Sequence, residues 1–67
     1  MEKRVSLSPA ELEALKLAEQ HYSYREIAEI QGVALSTISG QMASVQAKTN
    51  TRNRYEMVRE AQALGLI

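Results

Sequence analysis

The sequence predicts an all-α domain of four short helices, and three observations carry that prediction. The chain has 67 residues, 45% of them apolar, with no Cys, Phe or Trp, so its core must come from Leu, Ile, Val, Met and Ala. The helix-opening pattern of a hydroxyl residue followed three places later by glutamate occurs twice, at Ser8 with Glu11 and at Ser23 with Glu26. Apolar residues after these signals recur at three-to-four spacing rather than alternating. One domain spanning 1–67 is expected, with residues 1–6 flexible. A core this small is marginal, with no disulfide or Cys/His metal cluster to reinforce it, so association or a larger parent protein would help.

The first helix is expected to begin at "SPAE", with Ser8 as N-cap and Pro9 at the first helical position, where its missing N–H costs nothing. Leu12, Leu15 and Ala18, flanked by Leu17, form its apolar stripe, and it stops near Gln20 or His21. Ser23 opens a second helix from about Tyr24 to Gln31, burying Ile27, Ala28 and Ile30, and Gly32 supplies a left-handed cap. The third helix runs from Leu35 or Ser36 to Lys48. Its apolar stripe is Leu35, Ile38, Met42 and Val45; Ser36, Ser39, Gly40, Ala43, Ser44 and Ala47 make an opposite face almost without side chain. "NTRN" breaks this helix. A fourth follows from about Asn53 to Leu64, burying Met57, Val58, Ala61 and Leu64, after which Gly65 caps it and Leu66 and Ile67 fold back.

Formal net charge is zero, which at first argues against a polyanionic partner. The sum hides an asymmetry. Residues 1–30 carry four cations against six glutamates, a balance of −2; residues 31–67 carry four against two, a balance of +2. Between Gln31 and Arg54 there is no acid, only Lys48, Arg52 and Arg54, and this window contains the bare helix face. No apolar run approaches the roughly 20 residues that span a bilayer, and the N-terminus lacks a signal-peptide pattern, so a soluble cytoplasmic protein is expected. No Ser/His/Asp set, glycine-rich phosphate loop or paired-carboxylate site emerges, so no enzyme, cofactor, metal or small-molecule ligand is expected. The single histidine, His21, reads as a helix-end residue in an unusual backbone conformation. Tyr22 and Tyr24 read as covers for the core edge.

A short second helix, a tight glycine-containing connection and a longer third helix make a helix-turn-helix pattern, whose later helix enters the DNA major groove. From Leu7 to Ile67 the chain also resembles the LuxR-type (GerE-like) DNA-binding domain of response regulators and quorum-sensing transcription factors. The resemblance is carried by Leu7, Ser8, Glu11, Glu13 and Leu15, by Ser23 and the run Arg25 to Glu29, and by Thr37 and Ile38. Lys48, "RNR" at Arg52 to Arg54 and the terminal "GLI" complete it. It implies a four-helix domain whose third helix reads DNA and whose fourth mediates dimerisation. The chain departs from the family pattern on the third helix. Ser39 stands at a basic position and Gln41 at a histidine position, and Ala34 replaces a hydroxyl N-cap. Gln31 occupies a leucine site, and Thr49, Asn50 and Thr51 replace Leu-Gly-Val. These changes bear on affinity and base readout rather than on fold.

The expected DNA-facing set is Ser36, Thr37, Ser39, Gly40, Gln41, Ala43, Ser44, Lys48, Arg52 and Arg54. Thr37 is either a phosphate donor at a helix N-terminus or an ordinary first-turn residue. Gln41 is either a bidentate partner of adenine or a solvated side chain; Ser39 and Ser44 carry the same pair of readings. Gly40 and Ala43 let the helix sit deep in the groove, Ala43 meeting a thymine methyl. Lys48 and Arg52 are backbone clamps, whereas Arg54 is either a clamp or the partner of a carboxylate such as Glu26. Tyr55, Arg59, Gln62 and Ala63 are the expected homodimer surface. Double-stranded DNA is the expected partner. The alternative is a protein-interaction module that packs the small-residue face on another polypeptide.

Overall fold

The computed structural model describes residues 5–67. The expectation of a flexible start therefore lies outside the described residues for 1–4, while Val5 and Ser6 belong to no helix. Four α-helices follow: α1 (Pro9–Glu19), α2 (Tyr24–Gln31), α3 (Leu35–Thr49) and α4 (Arg54–Ala63), with no strand among the described residues. None of these helices is long and apolar enough to cross a membrane.

Three of the four helix starts are closed by side chains. Ser8 Oγ accepts from the Glu11 N–H at 3.1 Å while Glu11 Oε1 accepts from the Ser8 N–H at 2.9 Å. Ser23 and Glu26 repeat the exchange at 3.1 and 2.8 Å. Asn53 Oδ1 accepts from the Glu56 N–H at 3.0 Å and opens α4. Each cap satisfies N–H groups that the helix itself leaves without partners. α3 is the exception: Ala34 precedes it and offers no side-chain acceptor.

All four helices stop in the same way. His21, Gly32, Asn50 and Gly65 have φ of 73°, 69°, 55° and 74°. The following N–H then turns back to a carbonyl five residues earlier: Tyr22 to Leu17 at 3.3 Å, Val33 to Ala28 at 3.0 Å, Thr51 to Gln46 at 2.9 Å and Leu66 to Ala61 at 2.9 Å. Asn50 takes this left-handed conformation in place of glycine because its short amide tolerates it. Thr49, beside it, is buried, and its hydroxyl is satisfied by its own helix, donating to the Val45 carbonyl at 2.8 Å. A polar residue thereby fills an apolar niche. His21 carries a full side chain in the same strained conformation, so His21→Gly is expected to raise the unfolding free energy by about 0.5–1 kcal/mol. Urea unfolding measures this; no gain would mean that the imidazole makes a compensating contact.

α3 is the central element and packs against each of the other three. The core joins Ala14, Leu15 and Ala18 of α1, Ile27 and Ala28 of α2, Ile38, Met42 and Val45 of α3, and Met57 and Ala61 of α4. Tyr22, Tyr24, Leu66 and Ile67 pack on its edge, as expected. Five apolar assignments need correction. Val58 of α4 and Leu64 at its end are half-buried rather than buried. Leu12 is half-buried because the inner face of α1 is centred on Ala14 and Leu15. Ile30 is 55% exposed and Leu35 is 42% exposed. Both flank the turn between α2 and α3, and Ile30 borders an open cleft against Pro9, Ala10, Glu13 and Leu17 of α1.

Candidate nucleic-acid interface

α2, the three-residue turn Gly32 to Ala34 and α3 form a helix-turn-helix, and the outer face of α3 is open. Ser36, Thr37, Ser39, Gly40, Ala43 and Ala47 are all exposed. A Cβ built on Gly40 would meet nothing within 4 Å among the described residues beyond its own stretch of helix backbone. The glycine is therefore not required by packing, although it costs the helix about 1 kcal/mol relative to alanine. The face is shallow because no side chain on it is longer than threonine, and nothing else among the described residues covers it.

Gln41 departs from its expected place. Its Oε1 is buried and has no hydrogen-bond partner among the described residues. A bidentate contact with adenine needs both ends of the amide at the surface, and one end is inside whichever way the amide is turned. Ser44 is half-buried and helps to lower the pKa of the Glu11 carboxyl, so it lies at the inner border of the face rather than on it.

The three cations of the acid-free window separate sharply. Lys48 Nζ lies 2.8 Å from Glu11 Oε1, an ion pair between α3 and α1 in which the lysine side chain is 41% exposed and the glutamate side chain 8%. The Arg54 guanidinium donates through Nη2 to the carbonyls of Ala18, at 3.1 Å, and Tyr22, and lies 5.2 Å over the Tyr24 ring. It binds carbonyls at the end of α1, where the helix dipole also favours a cation. The expected partner Glu26 is occupied by its own cap. Arg54 is thus a tie between α4 and the α1–α2 connection. Arg52 alone of the three is exposed with no side-chain partner among the described residues. Arg25, in the first turn of α2, is also exposed and was not singled out from the sequence as a DNA contact.

Glu11 is the least expected member of the site. It is only 6% exposed and its carboxylate accepts from two donors, the Ser8 N–H at 2.9 Å and Lys48 Nζ at 2.8 Å. The Lys48 ammonium, then the Ser44 hydroxyl and the Ser8 N–H, draw its pKa from 4.5 down to about 2, against burial, which pushes it up. A carboxyl more acidic in the folded chain than in the unfolded one stabilises the fold fully above 4.5 and stops doing so as pH falls through about 2. Urea unfolding between those pH values should therefore show falling stability, and Glu11→Gln should reduce that dependence. An unchanged profile would contradict the role of the carboxylate.

On the far side, Tyr55 is 78% exposed, and Arg59 and Ala63 are also open to solvent. Gln62 is exposed but donates to Glu19 Oε2 at 2.9 Å, linking α4 to α1. Val58, Tyr55, Arg59 and Ala18 help line a shallow pocket of about 190 Å³ beside this surface. No group of three or more His, Cys, Asp or Glu side chains able to hold a metal occurs among the described residues.

Residues 5–61 match the family model of bacterial regulatory proteins of the LuxR family. Among solved structures, the chain is similar to the response regulator ChrA of a heme-sensing two-component system, with a TM-score of 0.91 and 27% identity over 98% of this chain. The chain spans 33% of the length of that regulator. It also shares the fold of the transcription factor GerE, with a TM-score of 0.86 and 22% identity over 94% of both chains. Comparison with curated protein sequences gives no match. The domain has the helix-turn-helix architecture of the GerE type, and the chain belongs to the LuxR family of bacterial regulatory proteins.

Proposed function

We propose that the domain binds double-stranded DNA sequence-specifically, as a cytoplasmic transcription regulator, by inserting α3 into the major groove. The observation that carries this reading is the uncovered small-residue face of α3 on a helix-turn-helix frame, with an uncompensated glycine at its middle. Ser36, Thr37 and Ser39 supply hydroxyls to phosphates and base edges, and Ala43 offers a methyl surface to thymine. Arg52 anchors the DNA backbone, and Lys48 contributes there with what its pair with Glu11 leaves. Two copies associating through Tyr55, Arg59, Gln62 and Ala63 double these contacts and offset the neutral net charge of each.

The test is selection of bound duplexes from a random pool at low salt, followed by a salt titration of the selected duplex. The logarithm of the affinity should fall linearly with the logarithm of salt concentration. One observation favours a second reading: two of the three cations expected around the face are engaged within the chain. An interaction module that packs this face on another protein's helix would show no duplex binding at low salt and little salt response.

A further inference from the structure

We infer that Glu11, a buried α1 side chain behind the proposed DNA-facing surface, limits the strength of that surface by neutralising Lys48 at its rim. The inference rests on the proposed DNA binding. Lys48 occupies the last turn of α3, and its ammonium group is held at 2.8 Å by a carboxylate that is itself almost wholly enclosed. Counterion release depends on the net positive charge that a protein brings to the phosphates. A lysine with a carboxylate at hydrogen-bond distance brings an ammonium and its opposite together, so a phosphate approaching Lys48 also approaches Glu11.

The glutamate cannot turn away. Its Oε1 also closes the α1 cap through the Ser8 N–H at 2.9 Å, and the residue is only 6% exposed, which fixes it between α1 and the inner border of the recognition face. Nor can Lys48 leave at no cost, because its departure strips a buried carboxylate of its cation. The same contact that holds α3 on α1 therefore subtracts one positive charge from the face. Glu11 acts through Lys48 and touches no base or phosphate.

The experiment measures affinity for one selected duplex across a salt series for the unmodified domain, Glu11→Gln, Lys48→Ala and the double variant. Glutamine keeps one acceptor oxygen for Ser8, removes the charge and puts an amide donor in place of the other oxygen. Glu11→Gln should bind roughly tenfold tighter at low salt, with a log–log slope steeper by about 0.9, one additional phosphate neutralised. Lys48→Ala should change the slope little with Glu11 present and remove the whole gain in the Glu11→Gln background. A purely structural role for Glu11 would leave the slope unchanged once the folded fraction is matched, and that result overturns the inference. So would equal effects of Lys48→Ala in the two backgrounds. If Glu11→Gln does not fold, Lys48→Ala is compared with Arg52→Ala. Arg52→Ala should flatten the slope by about 0.9 and Lys48→Ala by less than half as much; equal flattening overturns the inference. An unmodified domain that binds no duplex at low salt overturns the proposed function along with it, whereas normal binding with an unaltered Glu11→Gln slope overturns this inference alone.

Discussion

Arg54→Ala is expected to lower the unfolding free energy by about 3 kcal/mol, from two lost charge-assisted hydrogen bonds, each worth roughly 1.5–3 kcal/mol before relaxation. The guanidinium joins the Ala18 and Tyr22 carbonyls and covers the Tyr24 ring, so its removal releases the start of α4 from the α1–α2 connection in one step. A domain of this length has roughly 3–10 kcal/mol of stability in total. The substitution therefore removes a large part of it, and the melting temperature should fall by more than about 10 °C. Arg54→Lys should recover less than half of the loss, because an ammonium on a flexible stem does not reproduce a planar fork stacked on a ring. Thermal melting followed by circular dichroism decides the point. A loss below about 1 kcal/mol would show that the carbonyls find water without penalty.

Gly40→Glu is expected to separate binding from folding more cleanly than any other change. Beyond its own helix backbone the new Cβ meets nothing within 4 Å among the described residues, and glutamate is a better helix former than glycine, so stability should hold or rise by up to about 1 kcal/mol. Duplex affinity should nevertheless fall at least about a hundredfold, because a carboxylate would stand where α3 must approach a polyanion. Gly40→Ala, the control, should gain stability and lose less affinity. Duplex titration and thermal melting on the same preparations give both quantities. A folded Gly40→Glu domain that binds duplex unchanged would place the groove contact elsewhere on the molecule.

The parts legible in the sequence were those written in neighbouring residues. Ser8 with Glu11, and Ser23 with Glu26, announce helix starts because both halves of each cap lie three positions apart. Gly32 and the turn after it mark the helix-turn-helix, and the stripe Ile38, Met42, Val45 follows from helical spacing alone. What escaped was long-range. Lys48 meets Glu11 across 37 positions, and Arg54 meets Tyr22 across 32. A cap glutamate looks complete once its serine is found, so nothing marks it as the acceptor of a distant lysine. Arg54 reads from the sequence as either a backbone clamp or the partner of a carboxylate, because charges invite those pairings, yet it donates to the carbonyls of Ala18 and Tyr22 at the end of α1. Ile30 and Leu35 failed for a related reason: periodicity gives the side of a helix a residue occupies but not how far the neighbouring helices extend.

The attachment of α3 to all three of its neighbours has a mechanical consequence. An element gripped from α1, α2 and α4 cannot bow or slide to follow an irregular surface, and its outer residues are too short to reach across a gap. In a complex of the proposed kind, the compliance has to come from the nucleic acid. Base steps that widen or bend at little cost would then be preferred even where no atom of the protein meets them.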